Sequence, residues 1–477
     1  MRISSEPVRA VISLTSMPVE LRLPAGIAIL EQPRIESLCD VESAILRALA
    51  EPIGTPPLYE LARQKLAARP GASAVIVVSD NTRPVPYKGP PGILWPLVGQ
   101  LLRGGFPPNR ISVLVAGGTH RRMTDAEIGA MFDERVHQAG IAIRCHDAFD
   151  PSALAYLGTT RTATDVTIER GYLEADLRIL TGLVESHLMA GASGGRKSIC
   201  PGILGIDSIR EFHGPMTLAD PRSTDLVMAG NPCHELSLEI ARMAPADFIL
   251  NITAGEDGAV TGVFAGDMER AHEAAVEHLH SVAAIPIREA YDLVVTHAGR
   301  VGVNHYQAAK AAVVATRILR PGGHLILVAN TVDPDPVGSE DYRALLIRLR
   351  QIGPHAFRRL ISSPDWTFVH DQWEVQMWAK VLQRVPPENL FYFSPQTTPS
   401  QYANLPCRKP GPWMAALTKL PPERQIAAFV SRALKTATDL AATKGRTGSA
   451  SPRAAFLPAG PCGIPCPPRE NVADYCL

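Results

Sequence analysis

Residues 74–84 read Ala74-Val75-Ile76-Val77-Val78-Ser79-Asp80-Asn81-Thr82-Arg83-Pro84. A short run of apolar, mostly β-branched residues breaks off at once into Asp, Asn, Thr, Arg and Pro. That is the pattern of a strand buried on both faces that opens into a polar loop. It recurs twice. Ile111-Ser-Val-Leu-Val-Ala116 runs into Gly117-Gly118-Thr119-His120, and Ala175-Asp-Leu-Arg-Ile-Leu-Thr181 runs on to a glycine and then His187. Three buried strands, each delivering polar residues at its C-terminal end, predict an open α/β sheet with a site along that edge.

Further along, helical spacing appears over Ile93–Leu102 and after the capping box Thr124-Asp-Ala-Glu127. It appears again over Pro232–Met243, before a strand at Asp247–Ile252, and over Ala271–Ala284. In that last helix His272, His278 and His280 read as a solvated face. After Pro286-Ile287-Arg288, read as a linker, a second α/β pattern starts. It comprises a strand at Asp292–Thr296, a helix at Tyr306–Leu319, the turn Arg320-Pro-Gly-Gly323 and a strand at His324–Ala329. Helices near Asp341–Gln351, Gln372–Gln383 and Glu423–Ala442 and a strand at Leu390–Phe393 complete it. The expected organisation is an extension over 1–20, an α/β domain over 21–284, a second over 285–443, and a poorly ordered Pro/Gly-rich tail over 444–477.

Composition narrows the class. Of 477 residues, 46% are hydrophobic and 20% charged, an ordinary globular balance. Lys+Arg and Asp+Glu are both 47, so no basic field points to nucleic acid. No apolar run approaches a membrane span, and the first residues lack the order of a signal peptide. The expectation is a cytoplasmic protein without nucleic-acid or membrane partners. Eight cysteines are too sparse for a disulfide scaffold in this length. Only Cys462 and Cys466 stand close together, and they read as free thiols in the tail.

The densest polar segment is Glu185-Ser-His187-Leu-Met-Ala-Gly191-Ala-Ser-Gly194-Gly195-Arg-Lys197-Ser198. Glycines allow a close approach to phosphate, and Lys and Ser add charge and a hydroxyl. The segment falls short of a P-loop because Arg196 stands where the second glycine belongs, which argues against a nucleoside-triphosphatase. His120, His187 and His213 (in Glu211-Phe-His-Gly-Pro) each sit at an element end. A lone histidine there is more often structural than catalytic. Three of them beside Asp80 and Arg83 shift that balance, although spacing alone does not separate metal ligand from general base.

Taken together, these motifs resemble the nickel-dependent lactate racemase family. The set is Asp80-x-x-Arg83-Pro, Gly117-Gly-Thr-His120, His187 before Ser-Gly-Gly-Arg-Lys197-Ser, His213, Tyr306-Gln307-x-x-Lys310 and Asp371-Gln-Trp373. Gly230-Asn-Pro-x-His234 and Val263-Phe-Ala-Gly-Asp267 are similar too. The resemblance covers roughly residues 20–440. It implies two α/β domains with the active site in the cleft between them. It implies a nickel-pincer nucleotide, a pyridinium-3,5-bisthiocarboxylic acid mononucleotide, tethered to Lys197. Gly194, Gly195, Ser198 and Tyr306 would lie against that cofactor and His213 would ligate the nickel. His120 and His187 would be the acid/base pair. Asp80, Arg83, Gln307, Lys310 and Trp373 would shape the substrate site. The implied substrate is a small 2-hydroxy acid, and cofactor-biosynthesis enzymes would supply the nucleotide.

The chemistry of inversion asks for such a set. Deprotonating C2 beside a carboxylate gives a poorly stabilised dianion. Removing a hydride while a base takes the hydroxyl proton gives a planar 2-keto acid, which can be reduced from its other face. Two imidazoles, whose unperturbed pKa is about 6.5, suit the two faces, and a cation such as Arg83 or Lys310 suits the carboxylate. The rival readings are an NAD-type oxidoreductase and a non-enzymatic carrier of the nickel nucleotide. The first lacks a G-x-G-x-x-G after a strand. The second would not need two acid/base histidines and a carboxylate clamp.

Overall fold

The structure is a computed structural model that describes residues 2–444, 452–457 and 464–466, apart from 16, 32, 34, 256, 257 and 410. It divides into two compact units, one spanning Arg34–Val282 and the other joining Met1–Pro33 to Ala283–Leu477.

The first unit is built on a six-stranded sheet. From edge to edge its strands are Val260–Gly266, Phe248–Ala254, Leu177–Leu183, Ala74–Ser79, Ile111–Ala116 and Ala142–Cys145. All neighbours are parallel except the pair Phe248–Ala254 and Val260–Gly266. Residues 74–78 are all fully buried, as the unbroken apolar run requires. Helices Val41–Ala50, Leu58–Ala68 and Leu94–Arg103 bury their apolar stripes in the same core. The capping box at Thr124 forms as the sequence predicts, opening helix Asp125–Met131.

The second unit has its own six-stranded sheet, ordered Arg2–Ile3, Ala28–Ile29, Ala454–Leu457, Tyr291–His297, Leu319–Val328 and Leu390–Phe393. Helices His305–Thr316, Glu340–Ile352, Gln372–Arg384 and Pro422–Lys444 accompany it. No helix among the described residues is long and apolar enough to cross a membrane.

The chain ends differ from the sequence reading. Residues 8–23, expected mainly as part of an extension, form the antiparallel hairpin Val8–Leu14 and Met17–Leu23. Its inward side chains, among them Leu14, Val19, Leu21 and Leu23, are buried, and its second strand lies against helix Pro422–Lys444. Val11 sits in the outward register at 73% exposed, and that one apolar residue hides the period-two pattern. Ala454-Ala-Phe-Leu457, inside the expected tail, is an interior strand paired in parallel with Ala28–Ile29 and Tyr291–His297. Cys462, Cys476 and most of the remaining tail lie outside the described residues.

Candidate active site

Strands Ala74–Ser79 and Leu177–Leu183 are neighbours, but the chain leaves them toward opposite edges of the sheet. Their carboxyl ends flank a topological switch point, where open α/β sheets hold ligands. Asp80 follows the first strand and His187 the second; His120 follows the next strand, Ile111–Ala116.

Asp80 is buried, and its Oδ2 lies 2.7 Å from His120 Nδ1. Its Oδ1 accepts from Thr82 N at 3.2 Å and Thr82 Oγ1 at 2.5 Å. Burial alone would raise this carboxyl, but the bonds from His120 and Thr82 outweigh it and hold it below the usual range. A carboxylate only accepts, so His120 Nδ1 carries the hydrogen. The neutral ring then has its lone pair on Nε2. The turn bearing His120 is fastened by Gly118 N, which donates to Gly202 O at 3.0 Å, just beyond the Lys197 loop.

His187 is held in the opposite sense. Its Nδ1 accepts from the amides of Met189 at 3.3 Å and Ala190 at 3.2 Å. The neutral ring therefore carries its hydrogen on Nε2, which lies 2.6 Å from Lys197 Nζ. A bond of that polarity needs an amine with a free lone pair. Burial, with Arg83 and Arg196 nearby, independently holds the Lys197 ammonium well below the usual lysine range. Arg83 Nη1 lies 2.7 Å from Glu185 Oε1, so the expected substrate clamp already spends one arm on a carboxylate.

The glycines of the loop face the protein's own interior. A Cβ on Gly194 (φ +74) would stand 2.6 Å from Val184 Cγ2, and one on Gly195 (φ +49) 2.6 Å from His272 Cγ. Gly195 N donates to Asn251 Oδ1 at 2.8 Å and Ser198 Oγ to the Thr181 carbonyl at 2.9 Å. His272, expected on a solvated face, is instead buried beneath the loop, its Nε2 2.9 Å from Ser193 O. It belongs to the stripe of Ala271, Ala275, Val276 and Leu279, all buried. That spacing was the available signal.

His213 caps the C-terminus of helix Ile206–Phe212. Burial pushes its imidazole down to about 3, leaving a neutral ring of the kind a metal ion takes as ligand. Lys197 Nζ lies 5.9 Å from the centre of the adjacent Phe212 ring. Among the described residues no three of His, Cys, Asp or Glu gather into a metal-binding group.

The other expected residues belong to the second unit. Tyr306, Gln307 and Lys310 lie on helix His305–Thr316, capped by Asn304, whose Oδ1 accepts from Gln307 N at 2.9 Å. Trp373, on helix Gln372–Arg384, donates from Nε1 to Tyr306 Oη at 2.8 Å. Glu374, which the sequence reading did not single out, is buried. Burial and Asp371 raise its carboxyl while Lys310 pulls it down, and the net direction is up.

Residues 14–225 match the family described as Lactate racemase N-terminal domain. The chain is 33% identical over 343 residues to a lactate racemase of Lactiplantibacillus plantarum, covering 72% of this chain and 77% of that one. A lactate racemase of Thermoanaerobacterium thermosaccharolyticum is 30% identical over the same shares. Among solved structures, the lactate racemase apoprotein from T. thermosaccharolyticum aligns with TM-score 0.78 at 24% identity, covering 96% of this chain and all of that one. A Thermotoga maritima protein aligns at TM-score 0.56 and 16% identity, over 86% and 98% of the two chains. The sequence matches identify the chain as a member of the lactate racemase family, and hence as an isomerase.

Proposed function

We propose that this racemase inverts C2 of a small 2-hydroxy acid, lactate being one option, and that it works with a nickel-pincer nucleotide tethered to Lys197. The observation that carries the reading is the pair of histidines held in opposite tautomers at the switch point, one by Asp80 and one beside Lys197. The residues fit the nucleotide. Burial and the neighbouring His187 favour the uncharged amine of Lys197, the form able to make a covalent link, and His213 is a neutral imidazole of the kind that could complete nickel coordination. When bound, that group supplies a reversible acceptor for the hydrogen on C2.

This chain supplies orientation and proton handling. His120 presents a lone pair at Nε2 to take the substrate hydroxyl proton, and Asp80 stabilises the imidazolium that results. His187 carries its proton at Nε2 for the other face. Arg83, steadied by Glu185, and Lys310 serve the substrate carboxylate. Gln307, Trp373 and Tyr306 complete the substrate side, with Trp373 fixed by its bond to Tyr306. The experiment is a stereochemical screen of 2-hydroxy acids, using protein co-produced with the enzymes that make the nucleotide. Inversion of a C2-deuterated substrate with the label retained is expected. Inversion with complete loss of the label to water would rule out hydride chemistry.

A further inference from the structure

The loop that carries His187 and Lys197 is fastened from beneath by residues that take no part in the proposed chemistry. Arg196 is 1% exposed, and its guanidinium donates inward to three loop carbonyls. Nη2 reaches Ala190 O at 2.8 Å, and Nη1 reaches Ala192 O at 2.9 Å and Gly194 O at 3.5 Å. The carbonyl between them, that of Ser193, faces His272 Nε2 at 2.9 Å. The same Nε2 lies 3.2 Å from Arg196 Nη1, so His272 and Arg196 meet beneath the loop.

Asn231 fixes the remaining peptide. It is fully buried and caps helix Pro232–Met243, its Oδ1 accepting from Cys233 N and His234 N. Its Nδ2 donates to Met189 O at 2.9 Å and Val227 O at 2.9 Å. Met189 C=O and Ala190 N–H belong to one planar trans peptide, so they point in opposite directions. Pinning the carbonyl on Asn231 therefore aims the amide at His187 Nδ1, where it is found.

We infer that Asn231 and Arg196 are positioning residues that hold His187 as its Nε2–H tautomer, donating to Lys197. The chain of cause is local. The two clamps fix the peptides of residues 189–194, those peptides fix the proton on His187, and that proton faces the lone pair of Lys197. An imidazole receiving amides at Nδ1 cannot also accept from an ammonium at Nε2, so the clamp selects the nucleophilic form of the lysine. The inference deepens the reading above at Lys197 and rests on it for the lysine's purpose only.

The test is ¹⁵N NMR of histidine-labelled, cofactor-free protein, with His187 assigned by loss of its signals in His187→Gln. Expected is protonated Nε2 and bare Nδ1 for His187, against the reverse for His120, which Asp80 holds independently. Asn231→Ser keeps a hydroxyl cap for its helix but has no amide to donate. Arg196→Lys keeps the charge but loses the fork. In both, the His187 pattern should mix or invert while that of His120 stays. Acylation of Lys197 by an acetyl N-hydroxysuccinimide ester, read by peptide mass spectrometry, should slow about tenfold. A wild-type His187 protonated at Nδ1 would overturn the inference, as would folded variants that keep the wild-type tautomer. If one variant fails to fold, the other decides; if both fail, the wild-type spectrum does. No cofactor or substrate enters the measurement. A chain that racemises no 2-hydroxy acid can therefore still pass it, and one that fails it can still be a racemase.

Discussion

Lys197 Nζ and His187 Nε2 stand 2.6 Å apart, and because the Met189 and Ala190 amides donate to Nδ1 of the same ring, the imidazole is the donor and the amine the acceptor. A lysine in that state is ready to form a covalent bond. Lys197→Ala should fold normally yet carry no adduct when co-produced with the cofactor-making enzymes. Intact-protein mass spectrometry of wild type and variant checks this. An adduct of the same mass on the variant would move the tether elsewhere.

Asp80→Asn changes what His120 can do without removing it. An amide turned to donate toward Nδ1 would place the ring hydrogen on Nε2 and leave no lone pair for substrate. Racemisation should fall by about 10²–10⁴-fold, the usual worth of a positioned general base, while the adduct on Lys197 remains. A variant with wild-type turnover would show that Asp80 does not set the tautomer.

The second unit should lose stability in mild acid. His305 is 1% exposed, stacked on Trp378 at 4.4 Å with Nδ1 2.9 Å from Tyr342 Oη, and burial pushes its pKa down to about 3. The unfolded ring titrates near 6.5. Between those values the unfolded chain binds the extra proton, so stability is full above about 6.5 and drains as pH falls toward 3. The slope is ~1.4 kcal/mol per pH unit for one group. Denaturant unfolding at pH 7 and pH 5.5 should show His305→Gln with a shallower loss than wild type. An unchanged slope would mean that the buried ring is already charged.

Gly195→Ala forces a side chain into a positive φ and against the His272 ring. The expected cost is about 1–3 kcal/mol, read as a lower denaturation midpoint. A neutral substitution would show that the loop does not rest on His272.

Sequence alone made the first unit's architecture legible because its strands are unbroken apolar runs that end in polar residues, as at Val78–Asp80. Asp80, His120 and His187 stood out because they follow such runs, and Lys197 because it lies in the Gly-rich polar segment. What supports them did not. Arg196 looked like a flaw in a phosphate loop, when its role is to bond carbonyls that only folding brings round it. Asn231 before Pro232 announces a helix cap, but its second task, on Met189, depends on a distant turn. The strand Ala454–Leu457 has four residues and no period to read; its neighbours in the sheet make it a strand.

That strand carries a consequence for synthesis. Domains tend to form as units while the chain emerges, at roughly 5–20 residues per second. Arg34–Val282 is one continuous stretch and can close as soon as it is made. Ala28–Ile29, made before it, pairs with Ala455 and Phe456, made long after it. At those speeds the wait from residue 282 to residue 457 is on the order of 10–30 s. During that time the hairpin Val8–Leu14 and Met17–Leu23 has no helix Pro422–Lys444 to cover its apolar face. A nascent chain arrested near residue 340, with Val282 clear of the ribosome, should therefore show a protease-resistant Arg34–Val282 and a cleavable start.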